Sequence, residues 1–515
     1  NQKLLFDIGN TRQFSLNIYS NKPSLSFVTI SNLFEPKTID MCYSETNPDV
    51  ELGIKDSDGN WNTAGNKSRL IRVNKGALSL FASVFEDSDD WATTRLPSLQ
   101  VKEFLEVLQC FAENRNTIGQ QNKDVFYTGL WDEPSGQTTG IFENNPTYAI
   151  QPNELIISSP MIGSANPYFQ NAKEVCDSHR AYEQVDLQAL SKSYLPRGKY
   201  RPLISGSEYA ELFPKTSWGT SYYDEPKIVL RRRLDHEGAR SLIASIAPRK
   251  AAHIDTVFGM AFRNCNLALV AGLMASLPYD FFIRIIKKSD ARFDTLSKLP
   301  ILSGCKQEAA IIIRSLRLNC LSKWYEDIWK NCYPESSILD EWSKQDLRLE
   351  KQPFSTLQSN WNEEYILKDD YSRYQAAVEL DALVAQALGM SFDQLILIYR
   401  IQYPVMQQYE ADTWYDANGR ITFTNNRSLT GVGFSRPEWE NAGAVQPVRH
   451  GDAPWDGVMK HAPTGYVFAR TIMDDTMPGG PVERTIEYFA PFDRCDREQD
   501  YETAWKFFEE KYGRM

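Results

Sequence analysis

The most apolar stretch of the chain, Leu267 to Ile286, is broken by Pro278, Asp280 and Arg284. A helix that spans a bilayer needs about 20 predominantly apolar residues, so this run is expected as a buried helix pair over Asn266 to Lys288, joined at Pro278, and no membrane is expected as a partner. Burying it requires a sizeable core. With 515 residues, 42% of them hydrophobic and 24% charged, the chain has the balance of a globular protein of two to four domains. No basic-then-apolar pattern of a signal peptide opens it, and the start at Asn1 is expected to mark a trimmed or later part of a longer product. The eight cysteines form no close pairs and the five histidines no ligand spacing, which predicts reduced thiols, a cytoplasmic setting and no metal site.

Periodicity divides the chain further. Residues 1–115 begin with alternating apolar and polar positions, as in Phe14 to Ile18 and Ser26 to Ile30, and continue with helical spacing over Asn74 to Phe85 and Pro97 to Ala112. Residues 116–299 are rich in turn formers around short apolar runs, and predict strands at Leu155 to Ile157, Ile228 to Leu230, Leu242 to Ile246 and Val257 to Phe262. Helical spacing dominates 300–440. There Leu380, Leu383, Val384, Ala387 and Leu388 share a face, Gly389 suits a left-handed cap, and Ser391 with Gln394 forms a capping box for the next helix. A mixed tail, 441–515, carries strands around Tyr466 to Arg470 and Arg484 to Phe489 and a helix from Arg497 to Lys511. The expected fold class is α+β, a strand-rich region with a helical scaffold and no complete Rossmann-like domain.

Charge is unevenly spread. The chain carries −11 overall, yet Lys227 to Lys298 holds 13 basic and 6 acidic residues, a net of +7. An acidic chain is a poor general polyanion binder, whereas a basic middle is a localised footprint.

No catalytic centre is evident. Gly431-Val432-Gly433, the nearest approach to a glycine-rich cofactor loop, is followed by Pro437 and reads as a turn. Asn166-Pro167-Tyr168-Phe169 has the polar, proline and aromatic residues that bind a flipped adenine amino group, but an ordinary Asn-Pro turn has them too. Asp474-Asp475 and Asp493 with Asp496 read as surface acids.

Longer strings are distinctive. Ala275-Ser276-Leu277-Pro278-Tyr279-Asp280-Phe281-Phe282 leads into Lys298-Leu299-Pro300-Ile301-Leu302. Glu379 to Ala385, Tyr399 to Val405 and Asp412 to Arg420 follow, and Leu4 to Asn10 opens the chain. Together these resemble the non-catalytic C-terminal half of large adenine-specific DNA methyltransferases, the fused restriction–modification (type IIG) group and the related BREX- and DISARM-type phage-defence enzymes. The resemblance implies a target-recognition region that binds double-stranded DNA beside a methyltransferase domain, in cis or in trans, with other defence proteins as further partners. It implies S-adenosylmethionine for that other domain and no cofactor in this chain. Under it the basic segment supplies the DNA contacts, through Arg231, Arg232, Arg233, Arg249, Lys250, Arg284, Lys287, Lys288 and Arg292. Each of these has an ordinary reading as a solvated surface charge or a helix-terminal cation. Trp218, Tyr222 and Tyr223, just before the arginines, are candidates for base stacking or for core packing. A non-catalytic interaction scaffold remains the alternative. The missing cofactor loop predicts that the isolated chain transfers no methyl group from labelled S-adenosylmethionine to mixed-sequence duplex; robust labelling of adenine would contradict it.

Overall fold

The computed structural model describes residues 15–19, 21, 25–44, 52–426 and 462–513 except positions 57, 87, 122 and 265, together with 429, 431–434 and 436. The fold is α+β, with small sheets, mostly antiparallel, and longer helices. It divides into two compact units, Asn1–Glu113 with Leu397–Pro404, and Asn114–Ile396 with Val405–Met515.

In the first unit Ser26–Thr29 (β1) pairs antiparallel with Ile71–Asn74 (β2). Between them Lys37–Tyr43 is a helix (α1): Pro36 precedes it, and Thr38 and Cys42 turn inward one helical turn apart. Asn74 ends β2 and its side chain accepts from the Ala77 amide at 3.0 Å, so Lys75–Phe85 (α2) starts at once. Phe104–Glu113 (α3) begins later than the expected Pro97, because the Lys102 amide donates to the Ser68 carbonyl at 2.7 Å while Leu99, Gln100 and Val101 are buried outside the helix. Residues 15–19 form no strand, and the opening string Leu4 to Asn10 lies outside the described residues, as do His450 and His461.

The second unit is built on a four-stranded antiparallel sheet of Val125–Thr128 (β3), Lys227–Arg231 (β4), Ala244–Ala247 (β5) and Val257–Phe262 (β6), in the order β5-β4-β6-β3. Its inner strands are buried on both faces, which is why they read as continuous apolar runs. Ala261 and Phe126 join an aromatic cluster with Trp131, Phe142, Tyr209, Phe213 and Tyr222. There the Tyr222 hydroxyl meets His253 Nε2 at 3.0 Å above Gly259, where a Cβ would collide with both. Lys227 is buried beside them and donates to the Tyr222 and Ala251 carbonyls at 3.1 and 2.9 Å.

The apolar run forms Asn266–Ala275 (α4) and Leu277–Ile286 (α5), bent by 71°. The break falls at Ser276, and Pro278 sits in the first turn of α5, where a missing N–H costs nothing. Asp280 and Arg284 pair with each other inside the core at 2.9 Å. Among the described residues no single helix is long and apolar enough to cross a membrane.

The strand-rich and helical segments, expected as separate domains meeting near Pro300, lie in this one unit. Phe293–Leu296 (α6) and Glu308–Asn319 (α7) lead to Asp370–Ala387 (α8), and Arg497–Tyr512 (α9) ends the unit. α8 packs against α4, α5, α7 and α9, so it is buried on almost every side rather than along the one expected face. Gly389 closes it at φ +82°, and Ser391 and Gln394 exchange the reciprocal bonds of a capping box at 2.9 and 3.2 Å. The tail adds two hairpins, Thr413–Tyr415 (β7) with Ile421–Thr424 (β8), and Val467–Asp474 (β9) with Val482–Phe489 (β10). Most of the expected boundary near 441 lies outside the described residues.

Burial, with Lys227 nearby, pushes His253 down from its ordinary 6.5 to about 3. A histidine held neutral in the folded state contributes stability that is present above pH 6.5 and lost as pH falls toward 3. Stability is therefore expected to drop by roughly 2 kcal/mol between neutral pH and about pH 5 from this group alone. His253→Gln should flatten that acid limb in denaturant titrations run at several pH values, and an unchanged limb would contradict the assignment.

Candidate nucleic-acid interface

The nine basic residues singled out by the sequence separate into three groups. The first faces inward. Arg231, the last residue of β4, donates through Nε and Nη2 to the Ile162 carbonyl at 3.0 and 2.7 Å and lies over the Phe169 ring. Burial pushes its guanidinium down to about 10. Arg284 is 4% exposed and bonds Asp280 and the Gly238 carbonyl. Both are committed to contacts within the fold.

A second group sits at the far end of β4. Arg249 pairs with Asp327 and donates to the Asp224 carbonyl, with Glu225 at 3.9 Å. Lys250 is exposed at φ +68°, its amide bonded to the Tyr223 carbonyl. The five residues of β4 separate this group from Arg231 by roughly 13 Å of strand rise. The expected aromatic contacts nearby belong to the core: Tyr222 is fully buried, and Trp218 and Tyr223 pack on the same aromatic cluster, Trp218 donating to Glu225 at 3.0 Å.

The third group is gathered by tertiary structure. After α5 the chain turns at Lys287, whose φ of +56° is the left-handed cap that ends a helix. Residues 288–292 then run back along 232–236: the Leu234 amide bonds the Ser289 carbonyl at 3.0 Å, and the Ala291 amide bonds the Arg232 carbonyl at 2.7 Å. His236 Nε2 and the Lys288 carbonyl approach to 2.6 Å. This loop pair holds Arg232, Arg233, Lys287, Lys288 and Arg292 together. Arg232 pairs with Asp255 at 2.8 Å, Lys288 with Asp294 at 2.9 Å, and Arg233, 78% exposed, with Asp290 at 3.6 Å. Arg292 is exposed at the start of α6. The Lys288 and Arg233 pairs are solvated and contribute about 0–1 kcal/mol each, whereas the Arg232 pair is half-buried. Burial and the neighbouring Arg284 lower the pKa of the Lys287 ammonium.

One feature carries no sequence signal. Tyr127, on the edge strand β3, stacks on Phe293 of α6 at 3.8 Å with the rings 7° from parallel. No spacing joins positions so far apart; only the sheet order and the turn after α5 bring them together.

The glycine pair and the Asn-Pro motif weighed for catalysis are turns, and Asp474, read as a surface acid, is instead buried at the end of β9 and paired with Arg484. The Asn166 side chain accepts from the Tyr168 amide at 3.1 Å, and Tyr168 is buried against Ser322. The Val432 and Gly433 carbonyls accept from the Tyr488 hydroxyl and Arg470, which leaves that glycine pair closed against the β9–β10 hairpin.

Arg231→Ala is expected to cost 1–3 kcal/mol or about that, because it leaves the Ile162 carbonyl unpaired in the core, while Arg233→Ala should stay within about 0.5 kcal/mol of the parent. Urea melts of both variants check this, and equal effects would contradict the inward placement of Arg231. The chain matches no protein-family model and no curated protein.

Proposed function

We propose that this chain is the DNA-recognition and scaffold portion of an adenine-specific DNA methyltransferase of a restriction–modification or phage-defence system. Double-stranded DNA lies along the loop pair of residues 232–236 and 287–294 and is thereby presented to a methyltransferase domain carried in cis or in trans. The observation that supports this most is the gathering of Arg232, Arg233, Lys287, Lys288 and Arg292 by two chain segments distant in sequence, within a protein that is acidic overall. The motif strings that resemble the family flank this region on both sides. S-adenosylmethionine belongs to the other domain in this reading. Among the described residues the one glycine pair with the right spacing, Gly431 and Gly433, is held through the Val432 and Gly433 carbonyls against Tyr488 and Arg470.

In this arrangement Lys288 and Arg292 neutralise phosphates, and Arg233, 78% exposed, reads a base edge through its guanidinium fork. A second reading, an interaction scaffold for other defence proteins, draws on the exposed apolar side chains at the two ends of the β9–β10 hairpin, Tyr466 and Val467 at one and Met473 and Val482 at the other.

Duplex affinity measured across a salt series separates the two. Log affinity is expected to fall against log salt with a slope of about 0.9 per phosphate contact. Lys288→Ala with Arg292→Ala should weaken binding to all sequences alike and lower the slope by about one per lost contact, whereas loss of a base-reading Arg233 should relax preference at one position. Binding and slope unchanged in these variants, with the fold intact, would favour the scaffold.

A further inference from the structure

Tyr127 is 44% exposed although one face of its ring is covered by Phe293 at 3.8 Å and Phe258 packs on it at 6.0 Å. Tyrosine and phenylalanine stacked in parallel at the edge of a sheet bury less than they would in the core. Among the described residues β3 pairs with β6 alone and lies at the edge of its sheet. Phe293 directly follows Arg292, and Ala291 is bonded to Arg232, so the aromatic pair borders the loop that gathers the cations. Cations beside a partly exposed aromatic ring are the combination that holds an unstacked base, the charges on the backbone and the ring on the base.

We infer that the Tyr127–Phe293 stack is a base-stacking platform of the interface, on which one unpaired or extruded nucleobase of the bound duplex packs. This rests on the DNA-binding reading above and adds to it a site of defined chemistry: an aromatic surface that accepts a nucleobase by its face, without hydrogen-bond readout and hence without strong sequence preference. Chemistry on a base requires taking it out of the helix stack. A platform beside the phosphate contacts lowers the cost of doing so by stacking against the displaced base or the base left behind.

The test uses the whole chain, a matched mixed-sequence duplex, and the same duplex carrying one unpaired 2-aminopurine. The wild type should bind the unpaired-base duplex at least roughly 5-fold more tightly, the lower end of what one base–aromatic stack contributes, and should quench the 2-aminopurine fluorescence on binding. Tyr127→Ala should lose both the preference and the quenching while keeping the salt slope on the matched duplex. Tyr127→Phe should retain both, since the ring and not the hydroxyl does the stacking. Should the alanine variant fold poorly, Tyr127→Leu keeps apolar bulk on the edge strand without a π-face and is expected to lose both signals. Salt-dependent duplex binding with no preference and no quenching, or a Tyr127→Ala protein that behaves as the wild type, overturns the platform alone. Absence of any duplex binding by the wild type overturns the DNA-recognition reading and the platform with it.

Discussion

The second unit depends on charges buried along one helix. α8 is enclosed on nearly all sides, yet it carries Glu379 and Asp381, both without solvent exposure. A carboxylate cannot stay ionised in a dry core without close partners. Glu379 takes Arg314 at 2.7 Å, with the Ser343 amide and hydroxyl and the Gln375 side chain around it. Asp381 takes Arg497 at 3.0 Å and the Tyr501 hydroxyl at 2.6 Å. The partners come from α7, from the chain after it and from α9, so α8 can be buried only if all of them arrive together. Removing one partner of such a pair leaves an uncompensated charge, a loss of about 3–5 kcal/mol.

The same carboxylates reach the surface that the proposed function uses. Asp381 accepts the Leu277 amide at 2.6 Å, capping the start of α5 in place of the unhelpful Ser276 side chain, which bonds the Leu273 carbonyl instead. Asp280 and Arg284 then lock α5 against Ser241, Leu242 and Gly238. With its beginning and middle held, α5 delivers its left-handed end at Lys287 to one place, and the turn that follows can pair with 232–236. Of the cations of the loop pair Arg233 and Arg292 are exposed and Arg232, Lys287 and Lys288 half-buried, and the backbone that presents them is anchored through α5 to the core of the helical segment.

Much of this was legible in local pattern. The periods of Lys75–Phe85, Lys227–Arg231, Val257–Phe262, Asp370–Ala387 and Arg497–Tyr512 predict elements close to those observed, and the Gly389 to Gln394 turn follows from side-chain chemistry alone. Where local pattern misled, a distant contact was responsible. Pro97 to Lys102 does not enter α3 because residue 102 is bonded to Ser68. The change from strand-rich to helical sequence at Pro300 falls inside one compact unit, in which α8 packs on α4 and α5 as well as on α7 and α9.

For the interface, the sequence by itself determined that a basic segment exists within an acidic chain, that it spans the end of a buried strand and the end of an apolar helix, and that no glycine-rich cofactor loop accompanies it. It did so because net charge, residue type and short-range period are properties of a linear string. Only the tertiary structure decided which cations are available. Arg231 and Arg232 are neighbours in sequence, yet one is spent on a core carbonyl and the other stands in the loop pair. Arg284 and Lys288, one helical turn apart, divide in the same way between core and surface. The direction a side chain takes is set by what packs against it, and for each of these residues one partner lies tens of residues away: Ile162 for Arg231, Asp255 for Arg232, Gly238 for Arg284 and His236 for Lys288.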